Sequence, residues 1–241
     1  MRLERVPSET GAILYDPRRL AHPDAVQFDP ARGGHAGAAV RAASGRGSAW
    51  FLDPIVPDGP ALALRHYRRG GLIARFVQDR YLWQGEEATR CFRELRLLAQ
   101  LESLGLPAAR PVGAFYQRVG WLTYRAALLT VRVSGARPLS SQFDVVRPEI
   151  WHRVGATVAA FHTAGICHAD LNAHNILIDH SDAVHLIDFD RGSVRVPGSW
   201  MGSNLQRLSR SLVKLGGPSP TSQAWQALLD GYDEARRAPF R

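Results

Sequence analysis

Residues 168–190 read HADLNAHNILIDHSDAVHLIDFD, and this stretch carries the densest set of chemically reactive side chains in the protein. Two short apolar runs, Ile176–Ile178 and Val184–Ile187, are separated by polar residues of the kind that form tight turns. The pattern predicts a β-hairpin whose first strand follows Asn175 and whose second strand ends at Asp188. We therefore expect the amide of Asn175 and the carboxylate of Asp188 to lie side by side.

The spacing of the polar side chains around this hairpin is typical of kinases. His168, Asp170 and Asn175 fit the pattern HxDxxxxN, and Asp188 with Phe189 forms the DF pair that follows it. In such sites the first aspartate accepts the proton of the attacking hydroxyl, which predicts Asp170 as the catalytic base. Asn175 and Asp188 supply hard oxygen ligands that suit Mg²⁺. A cation is needed because a carboxylate about 4 Å from a phosphate charge costs about 4 kcal/mol at an effective dielectric of about 20.

Two other chemistries would use residues of the same stretch. Cys167 beside His168 is a candidate nucleophile and base, although adjacent residues of an extended chain point to opposite sides. His162, His168 and His174 are candidate zinc ligands, but their spacing is unlike that of common zinc sites. The phosphotransfer interpretation accounts for more of the stretch than either alternative.

Length and composition predict a cytoplasmic protein with a substantial core. The chain has 241 residues, of which 45% are apolar, which is enough for one large or two small packed lobes. It contains no apolar run near the roughly 20 residues that span a bilayer and no signal-peptide segment at its start. Cys91 and Cys167 do not indicate a disulfide framework, which fits a reducing compartment.

The charge of the chain is strongly positive and is carried by arginine. The net charge is +8, and Lys214 is the single lysine among 30 basic residues. This excess favours an anionic partner such as a phosphate, a carboxylate or an anionic membrane surface. Arg68 and Arg69 in the basic loop RRGGLIAR, and Arg191 after Asp190, are candidate contacts to an anionic acceptor. We find no nucleic-acid-binding motif, so nucleic acid is not an expected partner.

The segment Ala38–Leu52 reads as a strand, a glycine turn and a second strand. Gly45 and Gly47 lie in the turn, where glycine allows backbone N–H groups to approach phosphate oxygens closely. An ordinary hairpin has the same pattern. The turn is therefore a candidate nucleotide-phosphate site that depends on the segments around it.

A second phosphate-side pair is predicted from the next strand and helix. In the strand Ala61–Tyr67, Ala63 and Arg65 share one face, as the small residue and the lysine do in the corresponding kinase strand. No lysine is available in this part of the chain, so Arg65 is the candidate phosphate-binding cation. The helix predicted over Gln84–Leu104 carries Glu94, which we expect to pair with Arg65.

The remaining segments of the first half are predicted to be mainly extended. Ala12–Tyr15 and Ala25–Phe28 are strand-like pieces that are each followed by Asp-Pro. Val112–Tyr116 and Trp121–Val133 are expected to form a hairpin about Gly120.

The second half is expected to be mainly helical around the opening stretch. Pro148 begins a helix that leads to the catalytic loop, and two apolar-striped helices follow Asp190. We predict an α+β, two-lobed, protein-kinase-like fold with a small lobe over 1–133, an antiparallel sheet plus one helix that clamps the nucleotide, and a C-terminal lobe over 134–241. The short chain after Asp190 indicates a compact, shortened C-terminal lobe and a compact acceptor.

Several stretches together resemble one family of kinases. They are LRHYRRGGLI (64–73), GLPAARPVGAF (105–115), ALLTVRV (127–133), HADLNAHNILID (168–179), LIDFDRG (186–192) and NLQRLSRSL (204–212). The resemblance is to the 3-deoxy-D-manno-octulosonic acid (Kdo) kinases, which are related to the lipopolysaccharide heptose kinases, and it extends from about Phe28 to Leu215.

The resemblance implies transfer of phosphate from ATP to the 4-hydroxyl of Kdo on a lipid A precursor, with Mg²⁺ as a cofactor. By position it implies Asp170 as the base, Asn175 and Asp188 as metal ligands, and Arg65 with Glu94 at the nucleotide. It also implies a peripheral protein at the cytoplasmic face of the inner membrane. No obligate protein partner is evident from the sequence.

Other functions remain open at this point. The same motifs occur in small-molecule kinases of the aminoglycoside and choline type, in lipopolysaccharide heptose kinases and in small atypical protein kinases. A protein of a different class, a nucleotide-binding pseudokinase scaffold, is expected if Arg65 does not replace the usual lysine.

Overall fold

The computed structural model describes residues 2–31, 40–42, 49–55, 59–68, 79–143, 147–216 and 218–237. The chain divides into two compact units. The first unit comprises Met1–Ser103 and Ala109–Arg132, and the second comprises Leu104–Ala108 and Val133–Arg241. The division at residue 132 lies one residue from the predicted boundary, whereas the assignment of Leu104–Ala108 to the second unit was not predicted.

The first unit is built on an antiparallel sheet. Its strands are β1 Glu4–Ser8, β2 Gly11–Tyr15, β3 Val40–Ala42, β4 Ala49–Leu52, β5 Leu62–His66, β6 Tyr81–Leu82, β7 Pro111–Val119 and β8 Thr123–Val131. Neighbouring strands follow the order β1, β2, β7, β8, β5, β4, β3, and β6 also pairs with β8. The helix α1, Arg90–Ser103, joins β6 to β7 after a 3-10 helix at Glu86–Ala88. The helix is shorter at its start than the predicted span.

One apolar core cluster of this unit lies on a single face of the sheet, because alternate residues of a strand point to the same side. Apolar side chains from β5 and β8 pack there against residues of the N-terminal segment. Fully or nearly fully buried members of this cluster are Ile13, Leu20, Phe28, Leu62, Leu64, Val112 and Leu129.

One predicted strand is wrong. Ala25–Phe28 forms a 3-10 helix instead of a strand. Asp24 accepts a hydrogen bond from the Val26 amide, and the Gln27 side chain accepts one from the Asp24 amide. This reciprocal capping satisfies the backbone N–H groups that a strand would have left for a sheet partner.

The second unit carries short strands and three helices among its described residues. The elements are β9 Arg137–Pro138, a 3-10 helix at Leu139–Ser141, α2 Pro148–Thr163, β10 Ile166–Cys167, β11 Ile176–Ile178, β12 Val184–Leu186, β13 Ser193–Val194, α3 Trp200–Gly216 and α4 Pro218–Arg237. The predicted helix start at Pro148 is confirmed. Its ring fits the first helical turn, where no N–H donor is needed.

The predicted hairpin of residues 168–190 forms as β11 and β12. Ile176 pairs with Leu186, and Ile178 pairs with Val184. Asp179 closes the turn, because its Oδ1 accepts hydrogen bonds from the amides of Ser181 and Ala183 at 2.8 and 3.0 Å. Burial would raise the pKa of Asp179, but hydrogen bonds from the Ser181 hydroxyl, His185 and these two amides outweigh it and hold the pKa well below its usual value.

Helices α2 and α4 pack backbone to backbone at two glycines. A Cβ added to Gly155 would lie 1.8 Å from the Leu228 carbonyl oxygen, and one added to Gly231 would lie 2.1 Å from that of His152. Only glycine permits this approach. The contact covers the helix that leads into the catalytic loop.

The two cysteines do not form a disulfide bond with each other. Cys91 and Cys167 are both free and buried. Among the residues that the structure describes, no helix combines the length and the apolar character that a membrane crossing needs.

Candidate active site

His168 connects the two parts of the candidate site through backbone atoms. Its Nδ1 accepts a hydrogen bond from the Asp170 amide at 3.1 Å, which assigns the proton to Nε2. Nε2 then donates to the carbonyl oxygen of Ile187 at 2.9 Å. Burial lowers the pKa of His168, so the ring is neutral near pH 7, as these two bonds require. The imidazole therefore fixes Asp170 and Asp188, which follows Ile187, in one local framework.

The loop between β10 and β11 is closed by Asn175. Its side-chain Nδ2 donates to the backbone carbonyl oxygen of Asp170 at 2.9 Å. Its backbone carbonyl oxygen accepts a hydrogen bond from the Ile187 amide at 3.0 Å. Asn172 donates to the same Asp170 carbonyl at 2.9 Å. The structure thus brings together Asp170, Asn175 and the residue that precedes Asp188, as the sequence predicts.

Asp188 has a backbone conformation that is uncommon outside glycine. Its φ is +64°, in the left-handed region where aspartate and asparagine are the more tolerated side chains. Phe189 beside it is fully buried, with its ring 5.5 Å from Phe161 and 4.7 Å from His168. The packing of Phe189 holds this conformation in place. Such backbone outliers cluster at functional sites.

These side chains suit a divalent cation. Asp188 offers a half-buried carboxylate, and Asn175 is 8% exposed with its Nδ2 bound to Asp170. The amide oxygen of Asn175 is directed away from that bond. A carboxylate with an amide oxygen is the kind of ligand set that binds Mg²⁺ together with nucleotide phosphates.

Helix α3 contacts the loop through a face that sequence reasoning missed. Asn204 Nδ2 lies 3.9 Å from Cys167 Sγ, and Ser211 Oγ accepts from the Ala173 amide at 3.1 Å. Between them, Arg207 Nη1 donates to Asp170 Oδ1 at 2.5 Å. The signal was in NLQRLSRSL, because polar residues at 204, 207 and 211 share one face of a helix.

The predicted pair of the first unit also forms. Arg65 on β5 donates from Nη2 to Glu94 Oε2 of α1 at 2.5 Å. Tyr67 donates its hydroxyl to the same carboxylate oxygen, and the Arg65 guanidinium lies over the Tyr67 ring at 4.6 Å. Burial and the charge of Glu94 raise the pKa of Tyr67 well above its usual value. The tyrosine therefore stays a neutral donor, and it was not predicted as part of this group.

The other predicted site residues differ in their surroundings. Ala63 is half-buried on β5, two residues before Arg65. Arg68 and Arg191 are exposed. Gly45, Gly47 and Arg69 lie outside the described residues.

His168 is not available for either alternative, the Cys167 nucleophile with a histidine base or the zinc site of three histidines. His168 uses both ring nitrogens on backbone groups, so neither is available as a base for Cys167 or as a zinc ligand. His162 is committed to the hydroxyl of Tyr232 at 2.8 Å.

The sequence of the chain is similar to known lipopolysaccharide kinases. A sequence model described as "Lipopolysaccharide kinase (Kdo/WaaP) family" matches residues 32–232. The 3-deoxy-D-manno-octulosonic acid kinase of Stenotrophomonas maltophilia (strain K279a) is 48% identical over 230 residues, which cover 95% of this chain and 89% of the relative. The protein of the same name from Xanthomonas campestris pv. campestris (strain B100) is 49% identical over 209 residues, which cover 86% and 82%.

The chain belongs to the lipopolysaccharide kinase (Kdo/WaaP) family. This membership confirms the resemblance predicted from the motifs. A solved structure of WaaP in complex with acyl carrier protein superposes with a TM-score of 0.55 over 94% of this chain and 89% of that chain, at 17% identity. The superposition confirms the predicted α+β kinase-like fold of this lipopolysaccharide kinase family member.

Proposed function

We propose that this protein transfers the γ-phosphoryl group of ATP to the 4-hydroxyl of a Kdo residue on a lipid A precursor in lipopolysaccharide core biosynthesis. The observation that carries the proposal is the hydrogen-bonded loop in which His168 and Asn175 hold Asp170 next to the segment of Asp188. The acceptor follows from the relatives, which are named 3-deoxy-D-manno-octulosonic acid kinases at 48–49% identity.

Each residue of the second unit has a separate task in this reaction. Asp170 is exposed, so an acceptor hydroxyl can reach its carboxylate and give up its proton as the new bond forms. Asn175 and Asp188 would hold Mg²⁺. The cation would offset the charge of the phosphates, and the buried Phe189 and His168 hold the backbone segment that carries Asp188.

The first unit would bind the nucleotide phosphates. Arg65, buttressed by Glu94 and the Tyr67 hydroxyl, supplies a fixed positive charge in the role that lysine has in other kinases. Arginine keeps this charge but contacts phosphate through a planar fork instead of a single ammonium. Gly45, Gly47 and Ala63 would line the phosphates beside it, and Arg68, Arg69 and Arg191 would contact the anionic acceptor.

We further propose a peripheral location at the cytoplasmic face of the inner membrane. A net charge of +8 favours an anionic surface, where each arginine contributes about 1 kcal/mol of attraction. The tip of the β7–β8 hairpin adds an apolar contact. Trp121 and Leu122 are 91% and 74% exposed there, and Leu82 on the adjoining β6 is 64% exposed. Tryptophan beside basic residues is typical of protein surfaces that meet lipid head groups.

The decisive experiment offers the purified protein labelled ATP, Mg²⁺ and a panel of acceptors. The panel contains a Kdo-bearing lipid A precursor, a heptose-bearing core acceptor, an aminoglycoside, choline, a generic protein substrate and water alone. We expect phosphate to appear on the Kdo-bearing precursor, and analysis of the product by NMR should find it on the 4-oxygen. Phosphate on another hydroxyl of Kdo would correct the position only.

The other acceptors discriminate between functions. Preferred transfer to heptose, to a soluble alcohol or to protein would replace the proposed acceptor by that class. Nucleotide binding without transfer to any acceptor and without slow ATP hydrolysis would identify a pseudokinase. The purified chain is expected to work without a second protein, and a parallel sample with acyl carrier protein tests this expectation.

A further inference from the structure

Among the described residues, Arg207 is the cation that pairs with the carboxylate that we assign as the catalytic base. Its Nη1 lies 2.5 Å from Asp170 Oδ1, and the two side chains are 48% and 55% exposed. An ion pair this exposed adds little to the stability of a fold, because solvent screens both charges. Its location at the reaction centre therefore needs another explanation.

The position of Arg207 is fixed by the helix that carries it. In α3, Leu208 and Leu212 are fully buried, and Ser211 binds the Ala173 amide of the catalytic loop. Residues 207 and 211 are one helical turn apart, so the contact at Ser211 sets the height of Arg207 beside the loop. The guanidinium is thus presented at Asp170 by a rigid element.

The guanidinium has donors beyond the one that Asp170 uses. Arginine carries five N–H donors in a planar fork, and Nη1 accounts for the contact to Asp170. Among the described residues no further hydrogen bond of Arg207 is formed. Its remaining edge, half exposed, matches the two oxygens of a carboxylate, which arginine binds through two parallel hydrogen bonds.

We propose that Arg207 binds the carboxylate of the acceptor sugar and thereby selects an acidic sugar as the substrate. The inference rests on the proposed function, because the acceptor hydroxyl must lie within hydrogen-bonding reach of Asp170. In Kdo the carboxylate is attached two ring carbons from carbon 4. An acceptor that brings its 4-hydroxyl to Asp170 therefore brings its carboxylate within reach of the adjacent guanidinium.

Electrostatics favours the same assignment. An acceptor carboxylate this close to Asp170 is repelled by it unless a cation lies between or beside them. Arg207 supplies that cation on the acceptor side, where it does not depend on the metal. It contacts both carboxylates, so it also positions Asp170 in the absence of substrate.

The test combines two variants with two acceptors. Arg207→Gln and Arg207→Lys are assayed for kcat and KM with the Kdo-bearing precursor and with its carboxamide, in which the sugar has lost its negative charge. Arg210→Gln, an exposed arginine on the same helix, is the matched control. Loss of a charge-assisted bidentate contact is expected to raise KM for the acid by about 10- to 100-fold. The KM for the amide should change by less than about threefold, and Arg207→Lys should recover part of the loss for the acid only.

The outcomes separate this inference from the proposed function. If the Arg207 variants lose the same factor in kcat/KM with both acceptors, Arg207 only positions Asp170. If kcat/KM is unchanged with both acceptors, Arg207 does not contact the substrate. Each result overturns the inference. An unmodified protein that fails to phosphorylate the Kdo-bearing precursor overturns the proposed function and this inference with it. Thermal unfolding of each variant, expected to match that of the parent protein, excludes misfolding as the cause.

Discussion

At the scale of single residues, the site depends on how polar side chains are held by backbone atoms. His168 uses its two nitrogens on the Asp170 amide and the Ile187 carbonyl, and Asn175 uses its amide on the Asp170 carbonyl. These bonds leave the carboxylate of Asp170 exposed to substrate. A substitution that removes only the charge of Asp170 therefore tests its chemical role and keeps the hydrogen bonds that shape the loop.

Asp170→Asn tests the role of the base. The variant keeps the backbone hydrogen bonds of the loop, so its unfolding midpoint should match that of the parent. Its turnover should fall by about 10²- to 10⁴-fold, the usual contribution of a general base. Steady-state kinetics with the Kdo-bearing precursor measure this loss, and Asp230→Asn on α4 is the control. Turnover within threefold of the parent would refute the assignment.

Asp188→Asn tests the metal site with less disturbance than alanine. Asparagine tolerates the positive φ of this position, whereas alanine would add strain to the loss of charge. Calorimetry should show Mg-ATP binding weakened by about tenfold or more, and titration with metal-free ATP serves as the reference. Unchanged affinity for Mg-ATP would remove Asp188 from the set of metal ligands.

His162 predicts how stability depends on pH. Burial lowers its pKa to about 4, against a usual value near 6.5, and the native ring stays neutral beside the Tyr232 hydroxyl. The unfolded chain takes up the proton first, so stability present above about pH 6.5 is lost as the pH falls towards 4. A pKa shift of this size lowers the free energy of unfolding by roughly 3 kcal/mol at about pH 4 and below.

Urea unfolding between pH 4 and pH 7 measures the effect of His162. The His162→Gln variant should have a flatter profile than the parent, because it removes one of the buried imidazoles. Part of the slope should remain, since burial also lowers the pKa of His168. Parallel profiles for the two proteins would contradict the prediction.

At the scale of elements, the contact between α2 and α4 depends on the absence of side chains. Gly155→Ala would force its Cβ into the Leu228 carbonyl, and overpacking of this kind costs about 1 to 3 kcal/mol. Gly202→Ala on α3 is the matched control, because nothing lies within 4 Å of its Cβ position. Urea unfolding should show a lower free energy of unfolding for Gly155→Ala and an equal or higher unfolding midpoint for Gly202→Ala.

The elements also show which features sequence can predict. The β11–β12 hairpin follows from two apolar runs and a turn that Asp179 closes, all within 12 residues of chain, so local rules were sufficient. The pairing of Arg65 with Glu94 was predictable because kinases pair a cation on one strand with a glutamate on the helix that follows it, and Arg65 and Glu94 occupy those two positions. Asp24 and Gln27 also carry a local signal, a capping pattern that favours the observed 3-10 helix over the predicted strand.

Arg207 could not be found in that way. A polar face on an amphipathic helix does not reveal which loop it will contact, and Asp170 is 37 residues distant in sequence. The same limit applies to Leu104–Ala108, which belongs with the second unit through hydrogen bonds such as that from the Leu186 amide to the Pro107 carbonyl. Contacts between remote segments are set by packing, and a single sequence does not specify them.

At the scale of the whole molecule, positive charge and an apolar tip define how the protein would meet lipid. Replacement of Trp121 and Leu122 by serine is expected to weaken binding to vesicles of anionic phospholipid by about tenfold or more, because burial of one large apolar side chain is worth about 1.5 to 3 kcal/mol. Val196→Ser, at a similarly exposed position, is the control.

Sedimentation with anionic and with zwitterionic vesicles measures this binding. Salt should weaken the association of the parent protein with anionic vesicles, since screening shortens the range of the arginine charges. Equal binding of the serine variant and the parent would remove the hairpin from the proposed membrane contact. Activity with a detergent-dispersed acceptor should be the same for both proteins.

The helix α4 has a consequence for genetics. Tyr232 binds His162 in the last turn of α2, and the neighbouring Phe161 stacks on the buried Phe189. A frameshift or nonsense codon between Leu212 and Tyr232 would leave every phosphotransfer motif in the reading frame and still remove the packing that supports the catalytic segment. Alleles truncated there would be inherited as loss of function, although a scan for motifs would score the gene as intact.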